Sequence, residues 1–495
     1  MDEETRYEAV ASRDARFDGA FFFAVETTGI YCRPSCPAVT PKRENVRFYP
    51  TAAAAQGNGF RACRRCRPDA VPGSAEWNVR ADVVGRAMRM IGDGVVDREG
   101  VPGLAGRLGY SARQVQRQLT AELGAGPVAL ARAQRAHTAR TLLQTTVLPV
   151  TEIAFAAGFA SVRQFNDTIR QIYARTPSGL RAESGNGMSG MSGRNGANRT
   201  TRRATAPALA GIPLRLAYRG VYAARDMFDL LADEAVPRVE EVIGEPGTRT
   251  YRRTLRLPHG PGIVSVDEAL PPAGGTGPAR SNWLEARIHL ADLRDLTTAV
   301  QRLRRLLDLD ADPYAVDERL GADPFLAPLV EARPGLRAPG TADPDEYALR
   351  VHLGDAEARR LVAAYGNPLE HPCGTLTRLF PTPAALVDDP AAGPLATALA
   401  DGTVRLDSGA GREEAERSLL TVPGMTARTA ALIRMRALGD PDVAPDGEMG
   451  RAAWRPWRSY AVRHLSTAAR ATGISAFTEV PAESAQPVSS SSPQL

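Results

Sequence analysis

The sequence predicts a multidomain protein that is mainly α-helical, with smaller α+β parts. Four of the five cysteines in 495 residues form two short-spaced pairs near the N-terminus, which predicts a small four-cysteine zinc domain. A near-repeat of helical pattern follows and predicts an all-α domain with two helix-turn-helix units. The second half first alternates short strands with a helix and then becomes helical. It predicts an α+β subdomain followed by a helical domain.

The composition restricts the class of protein. The net charge is only +5, so any nucleic-acid binding must arise from local basic clusters. The first eight residues hold four acids and no apolar stretch, so we expect no signal peptide. No run of about eighteen apolar residues occurs, so we expect no membrane partner. These features predict a soluble, cytoplasmic protein.

The first predicted domain, residues 1–78, is organised by its cysteines. Two pairs joined by a loop supply the four sulfur ligands of a tetrahedral Zn²⁺ ion, and we expect the ligands to be Cys32, Cys36, Cys63 and Cys66. The stretch 31–68 also carries eight basic side chains against one acid, Glu44, which favours DNA as a partner. The spacing leaves open whether the zinc is structural or supports a reaction.

The second predicted domain, residues 79–182, contains the near-repeat. Leu104–Ser111 and Ile153–Ser161 each combine a short apolar helix, a glycine in the turn and a serine suited to cap the next helix. The domain has fourteen arginines and seven acids. Polar side chains at the start of each second helix are expected to contact double-stranded DNA: Ser111, Arg113, Gln114, Arg117, Ser161, Arg163 and Gln164. The alternative is an ordinary pair of helical hairpins.

The remaining chain is predicted to hold a linker, two parts of one larger unit and a tail. Residues 183–206 are rich in small polar residues and predict a flexible linker, and residues 481–495 predict a disordered tail. Residues 207–290 form the expected α+β subdomain, and residues 291–480 the expected helical domain.

The helical domain contains a Val422–Met425 turn that resembles a helix-hairpin-helix. In such a turn Gly424 would lie near a DNA phosphate. Thr426 occupies the position of the second glycine, so a plain connection between helices is the alternative.

Longer motifs point to known families. The first domain reads F-F-F-A-V-E-T-T-G-I-Y-C-R-P-S-C-P and G-F-R-A-C-R-R-C-R-P, and it resembles the N-terminal domain of the adaptive-response regulator Ada. The second contains A-F-A-A-G-F-A-S-V-R-Q-F-N and resembles the paired helix-turn-helix domain of AraC-type activators. Residues 210–470 contain L-R-L-P-H-G-P-G, V-P-G-M and W-R-P-W-R-S-Y-A, and they resemble the 3-methyladenine DNA glycosylase II family.

The Ada resemblance implies a reactive zinc site. It implies that Cys32 accepts a methyl group from a methylphosphotriester in DNA, with Thr28 and Arg61 near the phosphate. Val39 stands where the family pattern has an arginine. The resemblance further implies activation of transcription at promoter sites, with RNA polymerase as an additional partner. The alternative is a zinc-stabilised regulator that transfers no methyl group.

The glycosylase resemblance implies excision of alkylated bases by a carboxylate. The corresponding position is Glu448, with Asp446 two residues earlier. Arg428 replaces the family's usual tryptophan, and a segment near residues 353–355 is shortened. An active glycosylase and a degenerate domain retained for DNA binding therefore both remain open. Cys373 lies in H-P-C-G-T-L rather than P-C-H-R, so we expect it to be incidental.

Overall fold

The fold was obtained as a computed structural model. The described residues are 3, 6–7, 10, 21–34, 36, 38–63, 68, 83–146, 148–182, 211–268, 283–445 and 452–472. We refer to residues 21–63 as the N-terminal unit, residues 83–182 as the helical unit and residues 211–472 as the C-terminal unit.

The N-terminal unit is a small four-stranded sheet with one helix. Its elements are β1 (Phe22–Val25), β2 (Ile30–Cys32), β3 (Val46–Tyr49), α1 (Ala52–Gly57) and β4 (Arg61–Ala62). The strand order is β3-β1-β2-β4. β1 pairs antiparallel with β2 and β3, whereas β4 pairs parallel with β2. The parallel pair is possible because α1 carries the chain back across the sheet.

The helical unit contains the two predicted helix-turn-helix pairs. Its helices are α2 (Val83–Gly92), α3 (Val95–Leu108), α4 (Ala112–Leu123), α5 (Pro127–Thr145), α6 (Val150–Ala156) and α7 (Val162–Tyr173). The turn glycines of the near-repeat are Gly109, with φ 77°, and Gly158, with φ 85°. Both have the left-handed conformation that glycine adopts without steric cost. The predicted turn chemistry is therefore confirmed.

The C-terminal unit begins with a five-stranded antiparallel sheet of order β5-β9-β8-β7-β6. The elements are β5 (Ile212–Ala217), α8 (Ala224–Asp233), β6 (Glu240–Ile243), β7 (Thr250–Leu257), β8 (Gly260–Asp267) and β9 (Trp283–Leu290). The sequence pattern does not predict β8, because the first three residues of this strand are Gly, Pro and Gly. Pairing with β7 on one side and β9 on the other overrides that poor strand propensity.

The rest of the C-terminal unit is helical except for one hairpin. The helices are α9 (Leu296–Leu306), α10 (Pro313–Gly321), α11 (Ala327–Ala332), α12 (Pro344–Leu353), α13 (Asp355–Tyr365), α14 (Gly393–Ala400), α15 (Arg412–Leu419), α16 (Ala427–Arg436) and α17 (Arg458–Thr472). The hairpin consists of β10 (Asn367–Cys373) and β11 (Leu376–Leu379). The prediction of a helical domain over residues 291–480 did not include this hairpin, where Pro368 and Pro372 disfavour a helix.

The three units share one continuous hydrophobic core. It joins Phe22 and Tyr31 of the N-terminal unit to Ala139 of α5 and to Leu216 and Val264 of the five-stranded sheet, all of them buried. The units therefore pack against one another directly. Among the described residues, no helix has the length and apolar composition to cross a bilayer.

Candidate metal centre and DNA interface

The sheet of the N-terminal unit brings the first cysteine pair to the second. Cys32 ends β2, and Cys63 follows β4. Because β2 and β4 run parallel, their ends lie side by side, and Cys63 N–H donates to Tyr31 O over 3.0 Å. Cys36 lies in the turn after β2, where its N–H donates to Arg33 O over 3.0 Å.

Three of the predicted zinc ligands have the geometry of a metal site. The Sγ atoms of Cys32, Cys36 and Cys63 all lie within 4.8 Å of one another, and Cys36 Sγ lies 3.9 Å from Cys63 Sγ. A tetrahedral zinc ion with bonds of about 2.3 Å requires sulfur–sulfur distances of about 3.8 Å. The donor set and spacing fit Zn²⁺. Cys66, the fourth predicted ligand, lies outside the described residues.

The surroundings of the three sulfurs are apolar. Phe21, Phe23 and Val46 are buried in the same cluster as the cysteines. Such an environment disfavours a bare thiolate, because burial penalises an uncompensated negative charge. A bound cation removes that penalty, so the packing also fits a metal-bound thiolate cluster.

Thr28 and Arg61 lie together at the start of β2, on a surface that we call the rim. Arg61 N–H donates to Gly29 O over 2.8 Å, next to Thr28 in the β1–β2 turn. Both side chains are exposed. Val39 is also on the surface and is 90% exposed. This rim therefore presents one cation and one hydroxyl at the start of β2, the strand that Cys32 ends.

The first helix-turn-helix pair begins its second helix, α4, with a capping box. Ser111 Oγ accepts from Gln114 N over 3.2 Å, and Gln114 Oε1 accepts from Ser111 N over 3.3 Å. The Gln114 carboxamide thus bonds to the helix cap, whereas Arg113 and Arg117 extend from the exposed face. The two arginines form a basic surface along α4.

The second pair repeats this arrangement on α7. Ser161 Oγ accepts from Gln164 N over 3.2 Å, and Gln164 Oε1 accepts from Ala160 N over 3.4 Å. Arg163 is exposed beside them. Both predicted serine caps are present, and in both pairs the glutamine oxygen is engaged by the start of its own helix.

The predicted hairpin turn connects α15 and α16. Gly424 is exposed and has φ 78°, a conformation that favours glycine. Thr426 is the N-cap of α16, and its Oγ1 accepts from Thr429 N over 3.1 Å. The hydroxyl in the second glycine position therefore satisfies one of the free amides at the helix start.

The C-terminal unit contains a cavity of about 840 Å³ beside α16. Its lining includes Tyr347, Trp457, Tyr460 and Asp308. Burial raises the pKa of Asp308 to about 7. The sequence pattern gives no sign of Asp308, since only the fold brings the turn after α9 next to Tyr460 of α17. The predicted carboxylates, residues 446 and 448, lie outside the described residues.

Cys373 lies at the end of β10, away from the three clustered sulfurs in sequence and in secondary structure. Its Sγ is 3.7 Å from Arg252 Nη1, and the residue is partly exposed. This single contact builds no metal site.

Three family models match the chain. The metal-binding domain of Ada matches residues 5–69, a helix-turn-helix domain matches residues 104–183, and the AlkA N-terminal domain matches residues 213–343. One model falls in each of the three units, in the order that the sequence predicts, and the AlkA model matches the first half of the C-terminal unit.

Individual relatives agree with these matches. The chain is 48% identical over 507 residues to a Mycobacterium tuberculosis (strain H37Rv) protein described as a probable bifunctional transcriptional activator/DNA repair enzyme AlkA, covering 94% of this chain and 96% of that protein. It is 32% identical over 207 residues to DNA-3-methyladenine glycosylase 2 of Escherichia coli (strain K12), covering 33% and 69% respectively. A solved methylated N-Ada/DNA complex is 37% identical, covers 28% of this chain and 99% of that chain, and has a TM-score of 0.15. The family models and the two sequence relatives confirm the family resemblances.

Proposed function

Because the chain belongs to the family of bifunctional transcriptional activators and DNA repair enzymes that join an Ada-type metal-binding domain to an AlkA-type domain, we propose that it senses DNA methylation damage through Cys32. In this proposal Cys32 takes a methyl group from a methylphosphotriester, and the modified protein activates transcription. The observation that carries the proposal is the cluster of three buried sulfurs, with Arg61 exposed on the strand that pairs with the Cys32 strand.

The chemistry is a nucleophilic displacement. Cys32 Sγ attacks the methyl carbon, a sulfur–carbon bond forms, and the methyl–oxygen bond of the phosphotriester breaks. The electron pair of the broken bond stays on the phosphate oxygen, which becomes a diester anion. Bound Zn²⁺ would keep the cysteine sulfurs deprotonated at neutral pH. Arg61 and Thr28 would hold the phosphate against the rim.

The transfer also changes the charge of the sensor. A thiolate becomes an uncharged thioether, so the sulfur cluster loses one negative charge. Repulsion of neighbouring DNA phosphates then decreases and affinity for DNA rises. The methyl group stays on the protein, so each chain reacts once.

The helical unit supplies the proposed promoter reading. Arg113 and Arg117 on α4 and Arg163 on α7 are exposed, and they would contact DNA where a recognition helix enters the major groove. For their side-chain oxygens to reach base edges, Gln114 and Gln164 would have to release the backbone amides of Ser111 and Ala160. We propose RNA polymerase as the protein partner and the cytoplasm as the compartment, because the activity requires access to chromosomal DNA. We likewise propose domain divisions after residues 78, 182, 206, 290 and 480.

Mass spectrometry after incubation with methylphosphotriester DNA tests the sensor function. The expected result is one methyl group on Cys32 and none after Cys32→Ser. Cys373→Ser is the matched control and should gain the methyl group like the unchanged protein. An unmodified Cys32 on methylated DNA would favour the zinc-stabilised regulator without methyl transfer.

The second candidate function is recognition of damaged bases by the C-terminal unit. It is favoured by the aromatic cavity beside the Gly424 hairpin, since flipped bases are bound by stacking in such pockets. Asp446 or Glu448 would supply the catalytic carboxylate. Release of 3-methyladenine from alkylated DNA should fall in Glu448→Gln or Asp446→Asn. Activity that survives both substitutions would refute this assignment, and no release from the unchanged protein would favour a domain retained for DNA binding.

A further inference from the structure

Helix α2 of the helical unit is docked on the C-terminal unit through two arginines. Arg89 Nε donates to Ser408 O over 2.9 Å, and Arg86 Nε donates to Gly409 O. Both acceptors lie in the loop that precedes α15. Because these are backbone carbonyls at adjacent positions, the contact fixes the loop against the face of α2.

A second group of contacts joins the turn after α2 to helix α9. Arg305 Nη2 lies 3.5 Å from Asp93 Oδ1, and Thr298 Oγ1 donates to Asp93 O over 3.3 Å. Arg98 Nη1 donates to Thr298 Oγ1 over 3.2 Å. The docked surface therefore extends across two elements of the C-terminal unit.

The packing at the first contact is close. A Cβ at Gly409 would overlap the Met90 side chain, whose residue is completely buried. A larger residue at position 409 must therefore displace Met90 or separate the two units. Gly409 is consequently a sensitive point of the docked surface.

Helix α2 lines the cavity of the C-terminal unit through Met88, Arg89 and Gly92. Helix α16 spans that cavity from Arg428, near the hairpin turn, to Arg436 at its other end, a length of about 12 Å.

The docked loop lies at the far end of α16. Arg412, three residues after Gly409, donates to Gly439 O over 2.8 Å just beyond the end of α16. Helix α2 thus lies at the end of the cavity that is remote from the hairpin turn.

We propose that α2 is the floor of a binding cavity shared by the two units, and that a neutral oxopurine bound there fastens the helical unit to the C-terminal unit. The proposal rests on the second candidate function, a C-terminal unit that binds bases. Because coupling between sites is reciprocal, docking of α2 strengthens binding of the base, and the base stabilises docking.

Arg89 provides the polar group of this floor. Arg89 Nε donates a hydrogen bond to Ser408 O. Its guanidinium carries further donors on the two Nη atoms. Burial, with the nearby charges of Arg412, Arg86 and Arg305, lowers the pKa of Arg89 to about 9, so it is protonated at neutral pH. A guanidinium pairs with the O6 and N7 acceptors of an oxopurine, whereas adenine presents a donor beside N7.

Calorimetric titration of the full-length protein with hypoxanthine and with adenine, together with hydrogen exchange of residues 83–92, tests the proposal. We expect hypoxanthine to bind more tightly than adenine and to slow exchange of residues 83–92. Arg86→Ala, which disturbs docking outside the cavity lining, should weaken hypoxanthine binding about tenfold, and Gly409→Val should act in the same direction. Arg89→Ala should remove the preference for hypoxanthine, and Arg417→Ala, on an exposed face of α15, should change neither result.

Two outcomes would overturn the proposal. In the first, hypoxanthine slows exchange of residues 428–440 but not of residues 83–92, and Arg86→Ala leaves its affinity unchanged. That result would assign the cavity to the C-terminal unit alone. The other is no binding of either base by the unchanged protein. Methyl transfer to Cys32 is measured separately and does not depend on either outcome. If the protein binds hypoxanthine but releases no base from DNA, base excision is rejected and the shared cavity is retained.

Discussion

Arg253 on strand β7 donates to Glu346 on helix α12 over 2.7 Å, joining the five-stranded sheet to the helices of the C-terminal unit. Arg253 also lies 2.9 Å from Glu240, and Arg350 bonds to both glutamates. Burial raises the pKa of Glu240, but the charges of Arg350 and Arg253 outweigh it and hold that pKa at about 2. The four side chains form an ion network in which Arg253, Glu240 and Glu346 are buried and Arg350 is partly buried.

Removing the arginine at its centre should strongly destabilise the protein. Arg253→Leu leaves Glu240 and Glu346 short of one counter-charge, and breaking a buried pair costs about 3–5 kcal/mol. Urea unfolding followed by circular dichroism measures the loss. Arg252→Ala is the control on the same strand, because Arg252 is partly exposed and pairs with Glu241; it should cost about 1 kcal/mol or less. Equal losses in the two variants would show that the network contributes little.

The stability of the C-terminal unit should depend on the titration of Asp308. Its pKa is about 7, above the unfolded value of about 3.9, so the folded state favours the protonated acid. The resulting stabilisation is complete below pH 4 and is lost as pH rises through 7. Asp308→Asn should therefore raise the melting temperature more at pH 8 than at pH 5, as measured by differential scanning calorimetry.

The exposed Glu413→Gln provides a control for this measurement. It should show no such difference between pH 5 and pH 8. An Asp308→Asn effect of equal size at the two pH values would contradict the raised pKa.

The contact between the N-terminal and helical units should depend on one hydroxyl. Thr51 Oγ1 accepts from Ala54 N over 3.0 Å as the cap of α1 and donates to Leu123 O over 3.0 Å at the end of α4. Thr51→Val removes both hydrogen bonds and should cost about 1–2 kcal/mol. Thr51→Ser retains both and should cost less in chemical denaturation. A serine variant as unstable as the valine variant would assign the effect to packing of the methyl group.

Zinc should be held by the cysteine cluster and not by Cys373. Cys36→Ala removes one of the three clustered sulfurs and should lower the zinc content measured by elemental mass spectrometry. It should also expose the N-terminal unit to proteolysis, since small metal sites stabilise the domains that contain them. Cys373→Ala should retain one zinc ion per chain. Full zinc content in Cys36→Ala would contradict the assigned ligands.

Local chemistry made much of the structure predictable from sequence. The cysteine pairs, the turn glycines 109 and 158 and the caps Ser111 and Ser161 are each encoded within a few residues. Features that arise from contacts between distant segments were not predictable. The cavity position of Asp308 and the docking of Arg89 on Ser408 depend on how whole units pack. The roles of Cys66, Asp446 and Glu448 stay predictions.

The parallel pairing of β2 with β4 has a thermodynamic consequence for the metal site. Thirty residues separate Cys32 from Cys63, and closing a flexible loop of that length has an entropic cost that grows with the logarithm of its length. Here the sheet closes the loop, because Ile30 pairs with Arg61 and Tyr31 with Ala62. The incoming ion therefore meets a preorganised ligand set, and its intrinsic affinity is reduced little by ordering of the chain.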